Sequence, residues 1–278
     1  MNKSTKIRLI IYDIMAVLLT SVIFLIPFYF LVNSSFKSIK ESYRMELNLP
    51  SSFHIIENYK RVLEVQDGIV IRAFLNSFII TIFSVLGLVI VCSMAGFVIQ
   101  RRKNKLSGLW NFVILLGLII PPAIVPTIWV LNALNIFGTL PSMILLEIAF
   151  FFPFSTLLYK GFMTTIPKEI DEAAIVDGCG RIRLFFQIIF PLLKPINITI
   201  IVLTAVFIYG DFMNPLYFLP GPRNATVQLT LFNFMGQFAS KWNLLFANVV
   251  LVTIPPLILF LFLNRQIIAG MIAGSLKE

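Results

Sequence analysis

Residues Glu172–Arg181 read "EAAIVDGCGR". This polar, compact stretch interrupts a chain that is apolar for tens of residues on either side. It holds Glu172 and Asp177, the adjacent Ala173 and Ala174, Gly178, Gly180 and Arg181. The preceding "TTIPKEID" (residues 164–171) predicts a short helix with signals at both ends. Thr165 suits the N-cap and Pro167 the first turn. Glu169, Asp171 and Glu172 then sit near the positive end of the helix dipole. Ile170, Ala173 and Ala174 recur at helical spacing and share a face. Gly178 suits the left-handed residue that ends a helix. Gly180 permits a further turn before "RIRLFFQIIFP" leads back to apolar sequence. The spacing therefore describes a small rigid knob whose alanine face allows close approach of a partner surface.

The surroundings of the knob define the fold class. Of 278 residues, 58% are hydrophobic and 28 are phenylalanine. Only 13% are charged, against about 25% in ordinary soluble domains. Such a chain must place much of its apolar surface in lipid. A helix needs roughly 20 apolar residues to cross about 30 Å of hydrocarbon. Six stretches meet that length: residues 9–32, 73–99, 109–134, 141–163, 192–219 and 244–263. The expected architecture is an all-α integral membrane protein with six transmembrane helices, a single domain over residues 1–278. The first stretch is too long for a signal-peptide core and reads as a retained helix.

Charge orients these spans. With the N-terminus on the cytoplasmic side, six crossings place both termini there. Fourteen of the 22 basic residues then lie inside, including "QRRKNK" and the loop 164–190. Eight lie outside, five of them in residues 33–70 beside five acids. Lys and Arg accumulate on cytoplasmic loops, so the knob belongs to a cytoplasmic loop. The net charge of +9 is thus a matter of topology and lipid, and no basic run carries the interleaved aromatics of a nucleic-acid surface. Within residues 33–70, "ENYKRVL" is an amphipathic piece suited to the membrane surface.

Catalytic chemistry is not supplied. No phosphate-binding G-x-x-x-x-G-K-[ST], G-x-S-x-G or H-E-x-x-H occurs. His54 is the only histidine, and Cys92 and Cys179 form no CxxC, so neither a metal site nor a nucleophile–base pair is expected. Aromatic and polar side chains do occur at membrane depth, and Trp129, Asn132, Glu147, Tyr209, Asp211 and Asn214 are the candidates for lining a substrate pathway. Ionisable groups there cost at least ~2.5 kcal/mol to insert unless they face a cavity or a partner. Glu147 and Asp211 serve either a pathway or a buried helix–helix contact, and for the amides the second reading is favoured. Prolines in "IIPPAIVP", "YGDFMNPLYF" and "TIPPLI" predict breaks in the third, fifth and sixth helices.

"EAAIVDG" followed by "FFQIIFPLLKP" resembles the EAA motif of permease subunits of ABC importers. "FLNSFIITIFSVLG", "IPKEIDEAA" and "NVVLVTIPPLILFLFLNRQIIAGMIAGSLKE" are similar to other parts of the carbohydrate permeases, of the maltose type with six helices. The resemblance implies the type I importer permease fold, with the EAA segment as a cytoplasmic coupling helix docked on an ATP-binding subunit. It assigns coupling to Glu172, Ala173, Ala174, Asp177 and Gly178, and tail contacts to Gly270, Gly274 and Lys277. The family usually has alanine after DG, where this chain has Cys179. The implied partners are a second permease forming a heterodimer, two ATP-binding subunits and an extracytoplasmic solute-binding protein. This chain would bind no cofactor, with ATP and Mg on the partner subunits. The expected role is a permease for sugars, most simply oligosaccharides, in a bacterial cytoplasmic membrane. An ion-coupled carrier, or an importer permease for amino acids or peptides, is the alternative.

Overall fold

Lipid cannot hydrogen-bond a peptide group, so long apolar runs fold as helices. The computed structural model describes residues 3–102, 105–235 and 240–275, whose regular elements are all helical. The helices are α1 (Lys3–Ser35), α2 (Ile39–Ser42), α3 (Ile55–Glu64), α4 (Ile69–Arg101), α5 (Lys105–Ile119), α6 (Ile124–Ala133) and α7 (Leu140–Met163). They continue as α8 (Glu169–Val176), α9 (Arg181–Arg183), a π-helical segment (Leu184–Ile189), α10 (Phe190–Leu192), α11 (Lys194–Gly210) and α12 (Met213–Phe218). A 3₁₀ segment (Val227–Phe234) precedes α13 (Trp242–Ser275).

Four helices, α1, α4, α7 and α13, are individually long and apolar enough to cross a membrane. Two bent pairs, α5 with α6 at 117° and Arg181–Leu192 with α11 at 76°, bring the number to six where each pair is one span. Counting each pair once accounts for all six apolar stretches.

Of the three breaks that the prolines predict, two are present and the third is not. Residues 109–134 are not one helix, because Pro121 and Pro122 remove backbone donors and push the preceding residue out of the helical region. The fifth helix does not run over 192–219: α11 ends at Gly210 and Asp211 is extended (φ −68°, ψ 128°). The Asp211 Oδ1 accepts the amides of Met213 (3.0 Å) and Asn214 (3.3 Å), restarting the chain as α12. By contrast, α13 runs unbroken through Pro255 and Pro256. Membrane helices tolerate such prolines because neighbouring groups restore the freed backbone partners.

The chain packs as two units. Residues 1–71 with 230–254 form the first. Its centre is polar: Asn58 donates to the carbonyls of Ser35 (2.8 Å) and Lys37 (3.0 Å) and accepts from Asn243 (2.8 Å). Phe30 meets Phe246 edge-on at 5.3 Å. The expected amphipathic "ENYKRVL" is α3, which buries Asn58 and Val62 and pairs Arg61 with Glu57 at 2.7 Å on its outer face.

Residues 72–229 with 255–278 form the second unit. Its core gathers Leu88 and Cys92 of α4, Met143 and Tyr159 of α7, and Ile196 and Ile200 of α11. Gly96 of α4 lies so near α7 that a Cβ there would meet the Tyr159 Cβ at 2.7 Å and the Lys160 nitrogen at 3.0 Å. Tyr159 donates to Asn197 Oδ1 at 2.7 Å, joining α7 to α11. A small residue with a neighbouring interhelical hydrogen bond is how helices adhere in lipid, where burial alone gives little attraction.

Candidate functional site

The polar stretch folds as a capped helix, α8, on the second unit. Its start differs from expectation. Thr165 is not the N-cap, because its hydroxyl donates to the Phe162 carbonyl (2.8 Å) and Thr164 likewise takes Gly161 (2.7 Å), so both close α7. Lys168 occupies the N-cap position without a side-chain cap. The far end follows expectation. Gly178 is left-handed, with φ +78°. The Gly178 amide reaches the Ile175 carbonyl (3.0 Å) and the Cys179 amide reaches that of Ala174 (2.9 Å). This is the Schellman pattern, which also brings the residue after the glycine against the one that starts the last turn. Those two residues are Cys179 and Ala174, both packed on the core. The cysteine after DG thus acts as a small apolar plug.

Residue by residue, α8 divides into a held side and a presented side. Ala174 and Asp171 are buried, and Ala174 packs in one core with Leu184 and Phe185 of the π-helical segment. Asp171 pairs with Arg101 from the end of α4, Nε to Oδ2 at 2.6 Å and Nη2 to Oδ1 at 3.1 Å. The same guanidinium donates to the Ile166 carbonyl at 3.1 and 3.2 Å and to that of Pro167 at 3.4 Å. One side chain therefore ties the loop before α8, and α8 itself, to a membrane helix. Phe97 of α4 meets Phe185 at 5.5 Å beside it.

The presented side holds Glu172, Ala173, Asp177 and Gly178, all exposed. Of the residues expected to share one face, Ala174 is buried, Ile170 half-buried and Ala173 exposed. Beside the exposed set stand Ile175 (61% exposed), Val176 (86%) and Ile182 (77%), which sequence reasoning did not single out. Their signal was present: two branched apolar residues close an otherwise polar helix. Arg101 was also missed, having been counted only toward loop charge. Of the tail positions, Gly270 and Gly274 fall on the last turns of α13, and Lys277 lies outside the described residues.

The six polar residues expected at membrane depth do not form one group. Glu147 of α7 is 1% exposed and interacts with Asp211 and Asn214 at the break before α12. Neither Glu147 oxygen completes a hydrogen bond, nor does Asp211 Oδ2 or the buried Tyr209 hydroxyl. Tyr209 instead packs its ring on Phe78 at 5.8 Å. It lines an apolar cavity of about 380 Å³ with Phe78, Val85, Ile201, Pro255 and Leu259. Trp129 (68% exposed) and Asn132 lie exposed on α6. Among the described residues no cluster of three or more His, Cys, Asp or Glu is placed to hold a metal ion.

Apolar spans, two of them broken, and a polar helix that presents one face define a multi-pass α-helical membrane protein. Residues 87–272 match the family described as "binding-protein-dependent transport system inner membrane component". The chain belongs to that family. It is 35% identical to the melibiose/raffinose/stachyose import permease protein MelC of Bacillus subtilis, over 91% of each chain. It is 31% identical to the multiple sugar-binding transport system permease protein MsmG of Streptococcus mutans, over the full length of both. Its fold matches a chain in the crystal structure of a bacterial ABC transporter involved in the import of the acidic polysaccharide alginate. That match has a TM-score of 0.81 and 18% identity and covers 95% of this chain and 98% of the other. The fold is that of an ABC importer permease.

Proposed function

We propose that this chain is one of two transmembrane subunits of an ATP-driven oligosaccharide importer in a bacterial cytoplasmic membrane. The observation that carries the coupling role is α8: a short helix clamped from behind by Arg101 and presenting Glu172, Ala173, Asp177 and Gly178. A surface that transmits force must be rigid relative to the spans it moves, and the ion pair and the Schellman turn supply that rigidity. Hydrolysis of ATP with Mg belongs to two partner ATPase subunits, since the chain carries no phosphate loop. A second, different permease completes the pathway, and an extracytoplasmic binding protein delivers the sugar. Charge asymmetry favours cytoplasmic termini and a cytoplasmic α8. The broken spans are where the pathway would open and close. Names of relatives that import melibiose, raffinose and stachyose favour oligosaccharides over amino acids or peptides.

Co-purification tests this reading. Wild-type chain retains an ATPase subunit, and Glu172→Lys loses it while the chain still folds and inserts. Failure of wild type to hold any ATPase subunit would remove the proposal. The contact of Glu147 with Asp211 favours one second reading, a carrier coupled to ions. That reading predicts uptake without ATPase subunits, and loss of uptake in Glu147→Ala.

A further inference from the structure

Beyond the transport role, the segment that follows α1 carries a surface of its own. After Ser35 the chain does not leave the helix end. Tyr29 donates from its hydroxyl to the Leu47 carbonyl at 3.1 Å, and Asn33 donates to the carbonyls of Leu47 (3.4 Å) and Asn48 (2.9 Å). Lys37 takes the Glu46 carbonyl, and the His54 amide donates to the Phe36 carbonyl at 2.8 Å. Glu41 accepts from the amide and hydroxyl of Ser51. Residues 46–54 are thereby folded back along the last turns of α1.

Depth follows from helix geometry. At 1.5 Å per residue, Asn33 and Tyr29 lie roughly 3 and 9 Å back from Ser35 along the axis. The apolar, lipid-length part of α1 covers Tyr12–Ser35, which at that rise is about 36 Å against a hydrocarbon core of about 30 Å. Leu47 is therefore held level with the boundary between hydrocarbon and headgroups. From this clamped loop and the start of α3, Leu47 (50% exposed), Leu49 (71%), Phe53 (66%, its ring 6.3 Å from that of Phe36) and Ile56 (83%) stand exposed. Arg44 and Glu46 are the only formal charges from Tyr43 to Ile56, so the surface is an apolar wedge and not a basic lipid-headgroup patch. A wedge of this kind seats its apolar face roughly 5–10 Å into the headgroup boundary.

We infer that residues 47–56 form an interfacial anchor whose partner is the lipid surface at the C-terminal end of α1. The surface is continuous with that of α1, in which no residue from Tyr12 to Val32 is buried. The anchor would fix the height of α1 and carry α3 at the bilayer surface.

Spin labels read this directly. Cysteines are introduced singly at Leu49, Phe53 and Ile56 in the full-length Cys179→Ser chain, whose remaining Cys92 is fully buried. The chain is placed in phosphatidylcholine nanodiscs, alone and with its co-purified subunits. Phe24→Cys on α1 is the lipid reference and Lys60→Cys the water reference, and labels on both also report a folded, inserted chain. The expected result is collision with oxygen in preference to a water-soluble nickel complex at all three positions, as at Phe24, with or without partners. Nickel access equal to that at Lys60 would overturn the anchor. So would shielding from both reagents that appears only with partners, which would make the wedge a protein contact. The measurement reads topography and is independent of transport, so its failure leaves the proposed function untouched.

Discussion

Removing the carboxylate of Asp171 should loosen α8 without touching its presented face. Asp171 and Arg101 side chains are each only 12% exposed and meet through two contacts of 2.6 and 3.1 Å. Breaking a buried pair from one side costs about 3–5 kcal/mol, because the surviving charge stays behind without its partner. Here Arg101 keeps its hydrogen bonds to Ile166 and Pro167, so the lower figure of about 3 kcal/mol applies to Asp171→Ala. At 1.4 kcal/mol per factor of ten, that is roughly a hundredfold rise in the open population. Amide hydrogen exchange in nanodiscs measures it, since local opening sets the exchange rate. Amides of residues 171–179 should exchange roughly a hundredfold faster in Asp171→Ala. Asp171→Asn keeps an acceptor and should lose less, on the order of 1 kcal/mol. Glu172→Ala removes an exposed side chain and should leave exchange unchanged. If Asp171→Ala exchanged within threefold of wild type, the clamp would not be what holds α8, and its rigidity would need another source.

Two further outcomes test the packing and the first unit. Gly96→Ala should force α4 from α7, since the new Cβ meets Tyr159 and backbone nitrogen at 3.0 Å or less. Overpacking of this kind costs about 1–3 kcal/mol, visible as a lower midpoint of thermal unfolding in detergent, and an unchanged midpoint would contradict the close approach. The hydrogen bonds of Ser51, then those of Ser38, hold the Glu41 carboxyl at about 2, below its ordinary 4.5. A depressed acid stabilises the folded loop fully above its unfolded value and loses that contribution as pH falls through the folded one. Proteolysis of residues 38–54 by an acid-active protease should therefore rise between about pH 4.5 and 2, and Ser51→Ala should flatten that rise.

Much of this was legible in one dimension. The apolar stretches announced themselves because a bilayer demands length and hydrophobicity, both of which add along the chain. Gly178 was legible because a left-handed residue after a helix is a local requirement. Thr165 misled because two hydroxyls in a row face a choice between capping the next helix and closing the last, and only the placed carbonyls of Gly161 and Phe162 decide it. The prolines were legible only in part. Pro121 and Pro122 broke a span as expected, whereas Pro255 and Pro256 did not, although the local chemistry is the same.

Sequence by itself determined a multi-pass helical membrane protein, the place of its polar knob and the lack of a phosphate loop. These follow from composition, local conformational preference and motif spacing. Tertiary structure decided that Arg101 clamps Asp171, that Ile175, Val176 and Ile182 stand beside the presented face, and that Glu147 meets Asp211 while Trp129 lies exposed. It also brought Leu47 back level with Tyr29. The physical reason is common to all of them. Each is a meeting of groups far apart in sequence, and its direction is set by which helix faces another, which no window along the chain contains.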